Sequence, residues 1–164
     1  MILKYWNYFL FFLSLSAIVS ALIAEYIYNL QPCELCLKQR HPYYIILIIL
    51  SCILFISSSY KIWLFGLIQL ASIYGLFYSI WHVGVENKFF SGPSSCSVGL
   101  EKSRDTLSLK EQILSKQVIS CDEIVWSIFG ISAASLNTLL LVFIFIVNAL
   151  YISKNYGSEK KESS

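Results

Sequence analysis

Residues 43–60 read YYIILIILSCILFISSSY and residues 62–85 read IWLFGLIQLASIYGLFYSIWHVGV, with Lys61 as the only charged residue between them. Each run is long enough to cross a bilayer core of about 30 Å at 1.5 Å per residue. Working outward, Tyr5–Ala24 is a third stretch without charge, and Ile124–Ser153 is a fourth. Tyr and Trp gather near the run ends: Tyr5, Trp6, Tyr8, Tyr26, Tyr28, Tyr43, Tyr44, Tyr60, Trp63, Trp126 and Tyr151. Such amphipathic rings favour the headgroup level. The pattern predicts an all-α membrane protein, a four-transmembrane-helix bundle with spans at about 5–28, 43–60, 62–85 and 124–152.

Composition agrees. The chain has 164 residues, 57% of them apolar and 13% charged, with a mean hydropathy of +0.66. A soluble domain carries about 25% charge, so a soluble enzyme, a disordered chain and a nucleic-acid binder all fit poorly. The net charge of +2 is too small to imply an acidic partner or a phosphate backbone. The competitor for the first run is a cleavable signal peptide, with Lys4 as a weak basic end and Val19-Ser20-Ala21 as a cleavage site. The run exceeds the usual apolar segment of about 7–15 residues, so it reads as a span.

Four spans put both termini on one side of the membrane. Two loops, at about 29–42 and 86–123, then share the other side, and a tight turn around Ser57–Lys61 returns on the terminal side. Positive charge does not decide the orientation. Lys4, Lys61, Lys154, Lys160 and Lys161 stand on the terminal side against Lys38, Arg40, Lys88, Lys102, Arg104, Lys110 and Lys116 on the loop side.

The cysteines decide it. Cys33 and Cys36 fall in the first loop, and Cys96 and Cys121 in the second; Cys52 lies inside the second span and reads as a buried apolar thiol. Two pairs facing one compartment point to thiol–disulfide chemistry in an oxidising space. The loops then lie outside the cytoplasm and both termini inside it. Two structural disulfides are the plainer alternative. It suits the long loop but not a C-x-x-C ring, which constrains little chain and recurs in redox pairs. Zinc is another, although zinc sites favour two close pairs; the second pair here is wide, and His41 does not improve the pattern. Attached haem is disfavoured, because Leu37 rather than His follows Cys36.

Gln31-Pro32 precedes the motif, and Pro favours the first helical position. The two thiols are then expected near a helix N-terminus, where partial positive charge stabilises thiolate. Arg40 follows at helical spacing, where a guanidinium would lower a thiol pKa; on spacing alone a cation snorkelling to the headgroups is an equal reading. Pro42 predicts a break or kink near residues 38–42. There is no G-x-G-x-x-G and no Walker sequence to supply a soluble nucleotide. A lipid-soluble carrier such as a quinone, whose carbonyl oxygens Arg40 would polarise, is therefore the economical electron acceptor.

Pro32-Cys33-Glu34-Leu35-Cys36 with Arg40 resembles the P-C-x-L-C-x-x-x-R motif of the disulfide bond formation protein B family, the quinone-reducing membrane disulfide oxidases of bacteria. Cys121, Glu123, Trp126 and Gly130 are similar to its C-x-E-x-x-W-x-x-x-G. The resemblance covers most of the chain, from the first span to the fourth. It implies a dithiol:quinone oxidoreductase of the bacterial inner membrane with its cysteine loops in the periplasm. A periplasmic thioredoxin-like disulfide carrier would attack a Cys96–Cys121 disulfide, at Cys96. Exchange between loops would then pass electrons to Cys33–Cys36, and Cys36 would hand them to ubiquinone or menaquinone with Arg40 assisting. From their place near the end of the third span, His82 and Glu86 are candidates for the quinone's surroundings, beside the alternatives of an interfacial ring and a solvated loop carboxylate. Glu25, Trp126, Gly130 and Asn137 read as interfacial or packing residues. Ser91-Gly92-Pro93-Ser94-Ser95 reads as a flexible run, and Ser108 with Glu111 as a capping box for a short helix at about 109–119.

Two rivals remain. A vitamin K epoxide reductase-like enzyme also pairs four helices with a quinone, but its C-x-x-C lies at the fourth span. A structural four-span protein with static disulfides or zinc is the other. The expected organisation is one membrane domain over 1–153 and a polar cytoplasmic tail over 154–164.

Overall fold

The structure, a computed structural model, describes residues 5–53, 61–93, 121, 124, 126–128 and 130–162. The expected helix at about 109–119, the turn residues Ser57–Tyr60, and Cys96 and Glu123 lie outside the described residues. Among the described residues, four helices carry the fold: α1 (Trp6–Tyr26), α2 (Glu34–Ile53), α3 (Lys61–Glu86) and α4 (Ala133–Glu162). A two-residue antiparallel pair, β1 (Ser127–Ile128) with β2 (Ile131–Ser132), precedes α4.

Among the described residues, three helices are long and apolar enough to cross a membrane: Trp6–Tyr26, Lys61–Glu86 and Ala133–Asn155. The described part of α2 falls short, because its first two turns carry Glu34, Lys38 and Arg40. Helix α3 packs against α2 and α4, and α1 against α2. All four contribute to one apolar core, with Leu10, Ile46, Ile68 and Ile144 each fully buried. The outward faces are equally apolar: Phe12, Ile48, Trp63, Leu70, Phe77 and Leu150 are all exposed. A continuous apolar exterior of that extent belongs in lipid rather than water, so this is an all-α membrane protein.

Without a hydrophobic drive between helices in lipid, polar contacts and close backbones hold them together. Near the end of the bundle where α1 and α3 begin, Asn148 on α4 donates to the Phe65 carbonyl (3.1 Å) and to Gln69 Oε1 (2.7 Å) on α3. It also accepts from Trp6 Nε1 on α1 (3.4 Å).

Several sequence expectations change here. Helix α2 begins at Glu34, well before residue 43, and runs through Pro42 without a break. A helix can carry an internal proline where packing compensates. In this fold the ring is buried against Gly75 of α3, whose missing Cβ would stand 2.7 Å from Pro42 Cγ. Helix α4 begins at Ala133 rather than 124. Gly130, at φ +79°, makes the turn between the two short strands, and Ser132 Oγ then caps α4 by accepting the Ser135 N–H (3.2 Å). The α4 backbone continues to Glu162, so the segment expected as a tail is helical over most of its length. Cys52 is exposed on the outer face of α2, not buried; neighbouring Ile53 takes the inward position.

Candidate functional site

The C-x-x-C motif is built on the first turn of α2. Cys33, not Pro32, is the residue that caps the helix. Its carbonyl accepts the Leu37 N–H (3.1 Å), and its sulfur accepts the Cys36 N–H (3.3 Å). The thiol thus takes the role that a Ser or Asp oxygen plays at most N-caps. Both cysteines are free thiols, and their sulfurs stand 3.0 Å apart. The Cys33 thiol is pulled far below its ordinary range, to about 4, mainly because Cys36 S–H donates to it, with a further hydrogen bond from His82; burial opposes the shift. Cys36 is pushed up, because its proton is the one held between the two sulfurs and because it is buried. The pair is poised as one thiolate and one thiol.

His82, from the last turns of α3, stands opposite. Its ring is buried, with Nε2 3.6 Å from Cys33 Sγ and Nδ1 2.9 Å from Gln39 Nε2. It thus faces the interior of the bundle and not its outer surface. Glu86, one turn on, is also buried rather than solvated: its Oε1 lies 3.9 Å from His82 Nε2, and Oε2 accepts from Ser132 Oγ. Glu25 at the end of α1 is the ion-pair partner of Arg40, which also reaches the Ala21 carbonyl (3.4 Å). The Arg40 guanidinium is therefore tied back to α1 rather than snorkelling freely.

These groups meet at a cavity of about 240 Å³ among α1, α2, α3 and α4. Small residues of α1 (Ala17, Ser20, Ala21, Ala24) form one wall, and Cys36, Arg40, His82 and Asn137 bring polar atoms to the others. Cys36 lines this space, whereas Cys33 is not among its lining residues. Asn137 was expected only to pack; it is a cavity residue bonded to Tyr43, Gln39 and Ser79. Gln39 carried no sequence signal at all. A lone amide on a helix has no spacing that marks it, and its role exists only where α2, α3 and α4 converge.

Cys121 is buried and packs in one small cluster with Cys33, Leu35 and Val85, edged by Cys36, Tyr78 and Trp81. It is disulfide-bonded. The second loop therefore delivers one of its cysteines directly to the C-x-x-C. Among the described residues, Cys33, Cys36 and His82 also bring three metal-ligating atoms within 4.8 Å of one another. His82, not His41, is the histidine at the thiols; His41 instead stacks on Tyr74.

The chain is similar to a curated protein, "Uncharacterized protein RP370" of Rickettsia prowazekii (strain Madrid E). The two are 29% identical over 151 residues, 91% of this chain and 87% of that protein. No solved structure matches. The sequence profile of the family described as disulfide bond formation protein DsbB matches residues 4–151, nearly the whole of the span over which the two cysteine motifs and the four helices are laid out. With paired thiols, an adjoining membrane cavity and this match, the chain belongs to the disulfide bond formation protein DsbB family, membrane proteins of disulfide generation.

Proposed function

We propose that the protein is a dithiol:quinone oxidoreductase that reoxidises a periplasmic thioredoxin-like disulfide carrier and passes the electrons to a membrane quinone. The observation that carries this reading is the position of Cys36. It lines the cavity with Arg40 on one side, and its partner Cys33 packs with Cys121 on the other. A thiol pair so placed joins a protein disulfide to a compartment inside the bundle.

The chain's own residues set the order of events. The carrier thiolate attacks the Cys96–Cys121 disulfide at Cys96, releasing the Cys121 thiolate. Cys121 attacks Cys33 in the Cys33–Cys36 disulfide, and Cys36 leaves as thiolate on the cavity side. The carrier's second thiol closes its own disulfide and returns Cys96 to its thiol state. Cys96 then resolves the Cys33–Cys121 bridge, restores the outer disulfide and leaves Cys33 and Cys36 reduced. Arg40, held by Glu25, sets a fixed positive charge beside Cys36 and a hydrogen-bond donor beside the cavity. A bound ubiquinone or menaquinone would supply an acceptor for the two electrons and two protons that the carrier gives up. The cavity's apolar wall and the few polar groups opposite it suit such a ring.

The bundle is read as a single four-span domain over 1–153 in the bacterial inner membrane, with the second span at about 43–60. The cysteine loops are periplasmic and both termini, with residues 154–164, cytoplasmic. A second reading, a zinc centre at Cys33, Cys36 and His82, draws on their clustering.

The test is turnover in detergent with a short-chain quinone and a reduced thioredoxin-like carrier, followed by quinone absorbance. Wild type and Cys52→Ser should turn over; Cys36→Ser and Cys96→Ser should not. One zinc per chain, with thiols that never exchange, would overturn the reading in favour of the metal centre.

A further inference from the structure

The polar side chains between α2, α3 and α4 form one chain of hydrogen bonds whose direction is fixed at its far end. Thr138 Oγ1 lies 2.8 Å from the Ala134 carbonyl, which only accepts, so the threonine hydroxyl proton is spent there. Ser79 Oγ lies 2.7 Å from Thr138 Oγ1 and 3.5 Å from the same Ala134 carbonyl, so its own proton goes to one of these two acceptors. With its proton committed, Ser79 Oγ can only accept from Asn137, 3.1 Å away, so Asn137 presents its NH₂ there. The same NH₂ donates its second hydrogen to Gln39 Oε1 (3.1 Å), and Asn137 Oδ1 accepts from Tyr43 Oη (2.6 Å). With Oε1 so occupied, Gln39 turns its own NH₂ to His82 Nδ1 (2.9 Å). An amide NH₂ has no lone pair to offer, so Nδ1 must accept. In the neutral ring the proton then sits on Nε2, the nitrogen 3.6 Å from Cys33 Sγ.

We propose that Gln39 and Asn137 are positioning residues that lock His82 in its Nε2–H tautomer, so that the ring donates to the sulfur of Cys33. The inference rests on Cys33 acting in thiol exchange as described above, but not on which acceptor takes the electrons. A donor at that sulfur helps Cys33 leave as thiolate when its bridge to Cys121 is resolved. The low pKa of Cys33 accords with this but does not decide the tautomer, since Cys36 is its larger cause. Other charged groups frame the same sulfur. Among the described residues these are Arg40, which acts on the neutral Cys36 and is paired with Glu25 of α1, and Glu86 on α3, 3.9 Å from His82 Nε2. None of them touches His82 Nδ1 in the network, so the neutral Gln39→Leu change tests the tautomer apart from the charges, and the ring-nitrogen signal reads it directly in Gln39→Glu.

The experiment reads the ring and the thiol without any quinone. Nitrogen-15 spectra of the full-length reduced protein in detergent, with His82→Gln to separate its signals from those of His41, report which ring nitrogen is protonated. The pH midpoint of Cys33 alkylation is measured in a Cys36→Ser background. Wild type should show a bare Nδ1. Gln39→Glu, which puts a carboxylate acceptor at Nδ1, should invert the tautomer and raise the midpoint by about one to two pH units. Gln39→Leu and Asn137→Leu should release the ring to a mixture and raise the midpoint less. A protonated Nδ1 in wild type overturns the proposal, whether or not any variant folds. So does a Gln39→Glu protein that folds and keeps the wild-type midpoint, which would leave the network purely structural. Failure of quinone turnover with these results intact would instead strike the oxidoreductase reading and leave the tautomer lock standing.

Discussion

Cys33 caps α2 with its own sulfur, which accepts the backbone N–H of Cys36 over 3.3 Å. The first thiol of the motif therefore holds the helix that carries the second. This couples redox state to local structure. A thiolate at Cys33 is a better cap than a neutral thiol, since it adds charge to the positive end of the helix dipole. Reduction thus leaves the first turn of α2 ordered while it frees Cys36 beside the cavity.

Cys33 should stay reactive in acid. Its thiol is lowered to about 4, so the thiolate dominates above that pH and is lost only as pH falls through it. By linkage, the stability this ionisation adds to the reduced fold is fully present above the ordinary thiol range and decays as pH drops toward 4. The largest cause is the Cys36 S–H donor. Serine can replace that donor and alanine cannot. Iodoacetamide labelling of Cys33 against pH should therefore give a clearly higher midpoint in Cys36→Ala than in Cys36→Ser. Equal midpoints would remove Cys36 as the source of the shift.

Breaking the Arg40–Glu25 pair should harm stability and function in different proportions. Both side chains are partly buried, at 14% and 23% exposure, so each depends on the other for compensation. Glu25→Gln keeps a neutral partner for the guanidinium and should cost about 1–3 kcal/mol of stability. Arg40→Met leaves a carboxylate facing an apolar wall and also removes the cation beside Cys36. Thermal unfolding in detergent should show a loss for both variants, the larger one for Arg40→Met. Quinone KM should rise at least tenfold for Arg40→Met alone.

Packing at the crossing of α2 and α3 leaves no room for a methyl group. A Cβ on Gly75 would meet Pro42 Cγ at 2.7 Å and Leu141 Cδ1 at 3.1 Å, and a ring within a helix has little freedom to yield. Gly75→Ala should lower stability by about 1–3 kcal/mol, the usual cost of overpacking. The effect is read from the midpoint of thermal unfolding. Gly66→Ala on the same helix, where nothing lies within 4 Å, is the control and should be neutral or slightly stabilising.

What the sequence makes legible here is set by range. The long uncharged runs mark α1, α3 and α4 because hydropathy is local, and the C-x-x-C with Arg40 marks the site because three to seven residues of spacing survive folding unchanged. The start of α4 is harder. Residues 124–132 are as apolar as the helix that follows, and only Gly130 and Ser132 signal a turn and a cap within them. Pro42 misleads for the opposite reason: its expected break is annulled by a glycine 33 positions later. Gln39, Glu86 and Asn137 gain their roles from partners on other helices, which no local pattern encodes. Cys52 is a question of helical phase, and an all-apolar run carries no phase.

That outward placement of Cys52 makes its own prediction. It is the one cysteine of the described residues that stands apart from the redox cluster, on the exposed face of α2, and the proposed second span at about 43–60 would set it against acyl chains. It stands on the opposite side of the helix surface from the packed Cys33, Cys36 and Cys121 cluster and touches none of them. Cys52→Ser should therefore keep turnover within about twofold of wild type. A lipid-soluble maleimide should label Cys52 in vesicles, whereas a charged, impermeant maleimide should label it only after detergent is added. Labelling by the impermeant reagent in intact vesicles would place residue 52 in water and move the second span along the chain. Loss of turnover in the serine variant would bring a fifth thiol into the relay, which the distance between the outer face of α2 and the cavity-side sulfur of Cys36 argues against.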